Sequence, residues 1–388
     1  MFDDAWETIR DRYYDPKFHG VDWEAQRAEF RPLAADARDA QEFYSVLRRM
    51  ISALQDAHTR VFAPDEKFDW RHPRAVTIGI SIREVEGQPT VSAVDKGSEA
   101  ERAGLRAGDI LTKIDDEPAL ELFAEKLKEQ NGSSTRASAR LRALAAIAFG
   151  VAGSTVNVAW RDWDGRDHAA TLTRGWREFD TSLSVRELKD GYALVEFGAF
   201  TQDAARSLMS ALPVKLRKAR GIIIDLRGNG GGEGEAMAEM ASPFLPPGES
   251  LGLFIGRNGR AQSQLLTRDI LFFSPVRVVR TNAPLIILTS ERTASAAEIF
   301  AASMRERGRA TVIGTNTCGC VLAISRNHKL PDGGELDVSE MDYHTAQGAR
   351  LEGIGVTPDE TVTLNRRDLH SRIDRAMERA IERLKTKE

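Results

Sequence analysis

The chain has 388 residues, which is long for one compact domain, so it is expected to fold as two or three domains. Hydrophobic residues make up 41% of it and charged residues 29%, which is the balance of a folded protein rather than of a disordered one. The net charge of −4 gives no electrostatic reason to expect a nucleic-acid partner. No apolar run reaches the length of a transmembrane helix.

The first residues, Met1–Trp6, are acidic and amphipathic, unlike a signal peptide. Removal of a leader would leave the same start, so the cytoplasm, the periplasm and secretion all remain open. Two cysteines cannot form a disulfide framework. The seven histidines and two cysteines form no clustered ligand set, so we expect no metal, and we expect no cofactor either.

Residues 1–73 are predicted to be helical, because apolar residues recur there at helical spacing. Two such stripes are Phe2, Trp6, Ile9 and Tyr13, and then Phe43, Leu47, Met50 and Leu54. From residue 74 the pattern changes to short β-branched strands, over 75–82 and 90–94. The run Ala103–Asp109, Ala-Gly-Leu-Arg-Ala-Gly-Asp, resembles the turn of a PDZ module. We therefore predict a PDZ domain over 74–176, with a helical insertion over 120–153 that breaks near 131–134.

Residues 177–388 alternate between strands and helices. Continuous apolar strands are predicted over 192–197, 221–226, 284–288 and 310–313, and helices over 204–218, 233–245 and 295–307. This alternation is typical of βαβ units around a parallel sheet. A last helix is predicted to carry Leu369, Ile373, Met377, Ile381 and Leu384 on one face. The fold class is therefore multidomain α/β.

Two strand-to-helix turns could carry chemistry. The first, Asp225–Gly232, is rich in glycine and opens a helix, so its backbone N–H groups could stabilise an oxyanion or hold a phosphate. The alternative is a tight turn without a ligand. The second turn places Ser295 at a helix start, where a nucleophilic hydroxyl would be exposed. The alternative is that Ser295 and Glu298 form an ordinary capping box.

The order of these motifs resembles peptidase family S41, which comprises the C-terminal processing proteases and their tricorn-like relatives. The motifs are Asp-Leu-Arg-x-Asn-x-Gly-Gly, then Thr-Ala-Ser-Ala-x-Glu-Ile, then Gly-Arg-Ala-x-x-Ile-Gly-x-x-Thr, and finally Gly-Val-Thr-Pro-Asp. The resemblance implies a protease core over 177–388 of the ClpP/crotonase type. It also implies Ser295 as nucleophile, with an oxyanion hole made by backbone N–H groups of Gly230, Gly231 and Ala296.

The general base follows from a departure from the family pattern. Where the processing proteases carry a catalytic lysine, this chain has Cys320. The tricorn-like branch instead uses a histidine oriented by a glutamate, and His58 and Glu352 occupy the matching positions. Imidazole can accept the serine proton at neutral pH, and a carboxylate can fix its tautomer. His344 is the rival base.

Cys318 and Cys320 are interpreted as local packing residues, because a disulfide between positions two apart would be strained. Cys320 as an alternative nucleophile and a redox-sensitive pair are minor alternatives. In the PDZ domain, the strand at Ile78, Gly79 and Ile80 is expected to receive a peptide by strand addition.

The leading functional prediction is a serine endopeptidase that cleaves extended peptides or protein C-terminal tails. The alternatives are an inactive PDZ-containing peptide-binding scaffold and a hydrolase of non-peptide esters, or a ligand binder, of the same fold. Peptides or proteins are the expected partners, and the sequence leaves the oligomeric state open.

Overall fold

A computed structural model describes residues 1–66, 73–129, 132–270 and 277–386. The N-terminal part contains α1 (Phe2–Arg12), α2 (Trp23–Ala35), α3 (Ala40–Ser52) and strand β1 (Arg60–Phe62). Asp22 and Asp39 cap α2 and α3 by accepting backbone N–H groups. The apolar stripes of these helices pack together with Leu330, Leu336 and Val338. The N-terminal helices therefore share their core with a distant part of the chain.

The PDZ domain follows and is confirmed. Its elements are β2 (Arg74–Thr77), β3 (Ile80–Val85), β4 (Gln88–Val94), α4 (Glu99–Arg102), β5 (Ile110–Ile114), β6 (Glu117–Pro118), α5 (Ala119–Glu129), α6 (Arg136–Ala146), β7 (Thr155–Arg161), β8 (Asp167–Thr173) and β9 (Gly175–Glu178). The main sheet has the order β3-β4-β5-β7-β8, so β3 is an edge strand. The entering strand β2 pairs with the leaving strand β9. The predicted break in the helical insertion includes Asn131, which lies outside the described residues.

The remaining residues form the mixed α/β core that the sequence predicts. Its elements are β10 (Ser184–Glu187), β11 (Tyr192–Glu196), α7 (Gln202–Ala211), β12 (Gly221–Asp225), α8 (Gly234–Ala241), β13 (Ser250–Gly256), β14 (Ala261–Leu266), β15 (Leu285–Thr289), α9 (Ala296–Glu306), β16 (Ala310–Gly314), β17 (Asn327–Lys329), β18 (Glu335–Asp337), β19 (Met341–His344), β20 (Glu360–Thr361), α10 (Arg366–Ser371) and α11 (Arg375–Lys385).

The central sheet has the order β10-β11-β12-β15-β16-β20, and all its pairs are parallel except β10 with β11. Successive side chains of a strand point to opposite faces. Ile222 and Ile224 therefore pack with α7, α8 and α9, while Ile223 packs on the other face against α11. Burial on both faces explains why these strands are continuous apolar runs.

Parallel pairing also determines where the loops lie. In the register of β12 and β15, Asp225 is opposite Leu288. The glycine loop after β12 and the serine turn after β15 consequently leave the same edge of the sheet. Ligands of open α/β sheets bind at this edge.

The C-terminal helix differs from the prediction of one continuous face. Arg372 has a left-handed backbone (φ 56°) and ends α10, so Leu369 and Ile373 do not belong to α11. A separate α11 begins after the cap Asp374 and buries Ala376, Ala380 and Leu384. The apolar spacing continues across the turn, and spacing alone did not reveal the break.

Within the described ranges, no helix is long and apolar enough to cross a membrane.

Candidate active site

Hydrogen bonds hold the glycine loop and the serine turn against each other. The Thr293 hydroxyl donates to the Leu226 carbonyl at 2.7 Å, and the Ser290 hydroxyl donates to the Arg227 carbonyl at 2.7 Å. The Ala294 N–H donates to the Asn229 carbonyl at 3.1 Å. The two loops therefore form one rigid unit at the edge of the sheet.

Ser295 stands at the N-terminus of α9 with φ 55° and ψ −124°. This backbone region is sparsely populated for residues other than glycine, and such strain persists only where surrounding contacts impose it. Sharp strand-to-helix turns of this kind expose a nucleophilic hydroxyl. The Ser295 N–H donates to the Cys320 carbonyl at 2.9 Å and to Glu298 Oε2 at 3.0 Å. The capping box expected from the S-x-x-E spacing is thus present at the same serine.

Glu298 is buried and organises the loop that follows β16. Its carboxylate accepts hydrogen bonds from the Thr317 hydroxyl (2.5 Å) and from the N–H groups of Gly319 (2.7 Å) and Cys320 (2.9 Å). Burial raises the pKa of Glu298, and these donors oppose that shift. Glu298 therefore ties the serine turn to the loop that contains both cysteines.

Gly231 lies directly beside Ser295. A Cβ atom at Gly231 would be 2.7 Å from Ser295 Cβ, and the φ of +104° favours glycine. The same constructed atom would be 3.1 Å from the Ala296 nitrogen, so two of the predicted oxyanion-hole residues are adjacent. The Gly231 N–H donates to Asn229 Oδ1 at 2.9 Å, and it is therefore engaged in this conformation.

Cys318 and Cys320 form a disulfide, which corrects the prediction that they are packing residues alone. Both are buried in a small apolar cluster with Ala57, against which Ala294 also packs. A disulfide sulfur carries no thiolate, so Cys320 is not a nucleophile in this state. The Cys320 position instead supplies a backbone carbonyl to the Ser295 N–H.

His58 follows Ala57 and so lies next to this cluster. Burial lowers the pKa of His58 to about 4; the Asp56 carboxylate opposes the shift, and Arg60 and Arg142 add to it. Asp56 accepts hydrogen bonds from the backbone N–H groups of His58 (2.8 Å) and Thr59 (3.2 Å), and these bonds fix the turn. Among the described residues, the buried Nδ1 atom of His58 has no hydrogen-bond partner.

Glu352 is a buried carboxylate bound to the end of the cysteine-containing loop. Its Oε2 accepts the N–H groups of Val321 at 2.6 Å and Leu322 at 3.2 Å. Burial raises the pKa of Glu352 to about 7, against the hydrogen bonds from the Ser134 hydroxyl and the Val321 N–H. Glu352 thus exchanges its proton near neutral pH.

The segments that carry the three predicted catalytic residues converge. Ala57 packs with Ala294 and the disulfide, and Glu352 binds the residues just after that disulfide. A His58 Nδ1–Glu352 hydrogen bond is not formed in this conformation, because Nδ1 has no partner among the described residues. The assignment of Ser295, His58 and Glu352 as a catalytic set therefore stays a prediction.

His344, the rival base, lies at a surface cleft whose lining includes neither Ser295 nor His58. Its Nε2 is 3.5 Å from Asp342 Oδ2, and it borders a cleft of about 340 Å³ together with Tyr14, Arg257 and Arg350. The strand β19 that carries it pairs with β13 rather than with the central sheet.

The predicted peptide strand of the PDZ domain is interrupted. Ile78 precedes a left-handed Gly79 (φ 78°), and β3 starts only at Ile80. The Gly79 N–H donates to the Thr77 hydroxyl at 3.1 Å, and its carbonyl accepts the Asp95 N–H at 2.9 Å. Helix α6 packs against β3 beside this edge. Strand addition at Ile78–Ile80 stays a prediction.

Within the part of the chain that the structure describes, no group of three or more His, Cys, Asp or Glu side chains is arranged to hold a metal ion.

Three stretches match known domain families. Residues 1–52 match the tricorn protease C1 domain, residues 90–136 the PDZ domain and residues 191–362 peptidase family S41. Fold and domain order define a PDZ-containing serine-type peptidase. Residues 191–362 form a peptidase family S41 domain.

Relatives cover almost the whole chain. Carboxyl-terminal-processing peptidase 3 of Arabidopsis thaliana chloroplasts is 28% identical over 93% of this chain and 68% of its own length. A carboxyl-terminal-processing protease of Picosynechococcus is 27% identical over 92% of this chain and 81% of its own. Both relatives are carboxyl-terminal-processing enzymes by name.

Two solved structures share the fold. The photosystem II D1 C-terminal processing protease has a TM-score of 0.59 and 21% identity, and covers 94% of this chain and 92% of its own. Mature CPAF complexed with lactacystin has a TM-score of 0.72 and 14% identity, over 99% and 97% of the two chains. At these identities the likeness concerns the fold alone.

Proposed function

We propose that this chain is an endopeptidase that hydrolyses extended peptides or protein C-terminal tails, with Ser295 as nucleophile, His58 as general base and Glu352 as the orienting carboxylate. The observation that carries the proposal is the strained backbone of Ser295 at a helix N-terminus, directly beside Gly231. A serine that only caps a helix does not need a positive φ. A nucleophile on a sharp strand-to-helix turn adopts one because this backbone conformation exposes its hydroxyl.

In the proposed reaction, His58 takes the Ser295 hydroxyl proton as the serine oxygen attacks the scissile carbonyl carbon. The backbone N–H groups of Gly230, Gly231 and Ala296 would receive the resulting oxyanion, aided by the positive end of α9. Gly231 would have to exchange its hydrogen bond with Asn229 for one with the oxyanion. The imidazolium then gives its proton to the leaving amine, and water repeats the sequence on the acyl-enzyme.

The role of Glu352 requires a rearrangement that brings its carboxylate to His58 Nδ1, which has no hydrogen-bond partner among the described residues. With a pKa near 4, His58 is a weak base in this conformation. An ionised Glu352 that binds Nδ1 would raise the pKa of His58 and would satisfy this buried ring atom, which has no partner in the part of the chain that the structure describes. Apo sites are often loose and tighten only around substrate, so a closing side-chain rotation on substrate binding is consistent with this proposal.

Preference for C-terminal tails is the finer part of the proposal. It draws on the names of the relatives, which process carboxyl termini. It also draws on the PDZ domain, whose edge strand β3 is the kind of strand to which peptides add. Comparing hydrolysis of one peptide with a free or an amidated C-terminus tests this part separately.

The main test is labelling with a fluorophosphonate probe for reactive serines, followed by peptide hydrolysis assays. We expect wild type to label and Ser295→Ala not to label. Ser295→Ala and His58→Ala should each lower kcat by at least about 10³-fold, and the double variant should lose little more. His344→Ala, the matched control for the rival base, should retain activity.

Other outcomes identify the alternatives. A wild-type chain that neither labels nor cleaves, yet binds peptides, is the inactive scaffold. A chain that labels and hydrolyses simple esters but no peptide is the esterase. Loss of activity in His344→Ala with retention in His58→Ala would replace the proposed base.

A further inference from the structure

The helical insertion of the PDZ domain reaches the candidate active site through the loop that precedes α6. The Thr135 hydroxyl donates to the Cys318 carbonyl at 2.7 Å. A Cβ atom at Gly319 would lie 2.7 Å from Thr135 Cγ2, so the two loops are in close contact. The Arg142 guanidinium of α6 donates to the Ala57 carbonyl at 3.2 Å. An element of the PDZ domain thus forms one wall of the region around His58.

Ser134 makes the contact that joins two proposed catalytic segments. Its hydroxyl oxygen accepts the Ala57 N–H at 3.1 Å, one residue before His58. The Ser134 side chain also acts on the Glu352 carboxylate and lowers its pKa, and the Ser134 carbonyl lies 3.8 Å from the point where a Cβ at the next residue, Gly353, would stand. A serine hydroxyl has one proton to donate and lone pairs to accept with, so it can serve both partners at once. Ser134 therefore spans the distance between the His58 backbone and the Glu352 carboxylate.

Capping of α6 does not account for Ser134. Thr135 is the N-cap of α6, and its hydroxyl accepts the Ser138 N–H at 3.1 Å. Ser133, the preceding residue, has a buried hydroxyl oxygen with no hydrogen-bond partner among the described residues. Of the three consecutive hydroxyl residues, Ser134 is the one whose side chain binds the His58 segment and acts on the Glu352 carboxylate.

We propose that Ser134 is a positioning residue, which holds the Glu352 carboxylate in line with the chain at His58 so that the two can pair during catalysis. This inference rests on the proposed function, because it assigns Ser134 a role in the same Ser-His-Glu set. It also makes the active site composite, since the nucleophile, the histidine and the positioning hydroxyl come from three separate parts of the chain.

The groups around Glu352 determine how removal of the Ser134 hydroxyl should change the pH dependence of kcat/KM. The charged and titratable groups that face it are Asp56, Glu298, Tyr13, Tyr14 and Arg350. The Ser134 hydrogen bond favours the ionised carboxylate, so its removal raises the pKa of Glu352 further. If Glu352 must be ionised for turnover, the acid limb of kcat/KM then moves to higher pH.

The experiment compares Ser134→Ala with Ser133→Ala as the matched control and with Ser134→Thr, which keeps the hydroxyl. We expect Ser134→Ala to lower kcat by about ten- to a hundredfold, the usual effect of losing a hydrogen bond to a charged group, with KM nearly unchanged. Its acid limb should move upward in pH. Ser133→Ala should stay within about twofold of wild type in kcat, and Ser134→Thr should recover most of the loss.

Melting temperature and two further variants make the result decisive. A Ser134→Ala variant that matches Ser133→Ala in kcat and acid limb, while Ser295→Ala and Glu352→Gln are inactive, overturns the role of Ser134 alone. Ser134→Thr that restores the melting temperature but not the acid limb also overturns it, because the role would be structural. Activity retained in Ser295→Ala refutes the proposed function itself, and is thus a separate outcome.

Discussion

Substitution of Glu352 by glutamine offers the sharpest test of the proposed catalytic set, because this carboxyl should govern both turnover and stability. Burial raises its pKa to about 7 from an ordinary 4.5. The amide keeps the shape of the side chain but cannot ionise. A neutral side chain stabilises the imidazolium of His58 poorly and can present the wrong partner to Nδ1. We expect a fall in kcat of at least about a hundredfold, with little change in KM.

The pH dependence of the wild type follows from the same pKa. With a pKa of about 7, Glu352 is about one-tenth ionised at pH 6 and about nine-tenths ionised at pH 8. If only the ionised form supports turnover, kcat/KM rises about tenfold over that interval. His58, with a pKa of about 4, is already neutral at pH 6 and adds no further rise. Glu352→Gln should have low activity and no such limb.

Stability should change with pH in the opposite direction. Between pH 4.5 and 7 the folded chain retains a proton on Glu352 that the unfolded chain releases. Its contribution to the free energy of unfolding is therefore fully present below pH 4.5 and is lost as pH rises through 7, by about 3 kcal/mol in all. Glu352→Gln removes this loss. The melting temperature of Glu352→Gln minus that of wild type should therefore be larger at pH 8 than at pH 5.

Steady-state hydrolysis of a quenched fluorescent peptide and calorimetric melting, both from pH 5 to 9, measure the two effects. A wild-type profile that is flat between pH 6 and 8 contradicts the proposed role of Glu352 ionisation. Unchanged turnover in Glu352→Gln would mean that the carboxylate is a bystander. A melting difference that does not depend on pH would show that burial of the ionised carboxylate is not what limits stability.

Two further variants test the surroundings of the nucleophile. Gly231→Ala places a methyl group 2.7 Å from Ser295 Cβ at a φ of +104°. We therefore expect at least about a hundredfold loss of kcat and a loss of roughly 2 kcal/mol in unfolding free energy. Gly228→Ala, with open space around its Cβ, is the control for turnover and melting. Replacing Cys318 and Cys320 together by alanine opens a very small disulfide loop, so the unfolding free energy should fall by about 1–2 kcal/mol while turnover stays within a few fold. If Cys320→Ala alone abolished turnover, the proposed catalytic set would be wrong.

Local patterns in the sequence determined the alternating strands and helices of the α/β part and the two loops of the candidate site. Continuous apolar runs predicted the parallel strands, because a strand buried on both faces needs apolar residues at every position. The glycine loop and the serine turn were recognisable because glycine tolerates φ values that other residues avoid, and because helix starts have their own signals. These features depend on neighbours within a few residues, so the sequence contains them.

The family resemblance, rather than the physics of spacing, brought His58 and Glu352 into the prediction. A lone histidine after a helix and a glutamate before a glycine have no local mark of catalysis. The structure places their segments near the cysteine-containing loop through contacts between residues far apart in the chain. The displaced pKa values of both residues arise from burial, which is a property of the folded chain.

Tertiary structure alone decided the remaining features. Pairing of Cys318 with Cys320 depends on the path of a loop that Glu298 holds by accepting the Gly319 N–H. The short sequence separation of the two cysteines argued against a disulfide. Ser134 lies in an insertion of another domain, and no periodicity relates it to Ala57 or Glu352. Apolar spacing, the Ser-x-x-Glu pattern and glycine positions report on a chain's immediate neighbours, whereas this site is assembled by packing between segments tens to hundreds of residues apart.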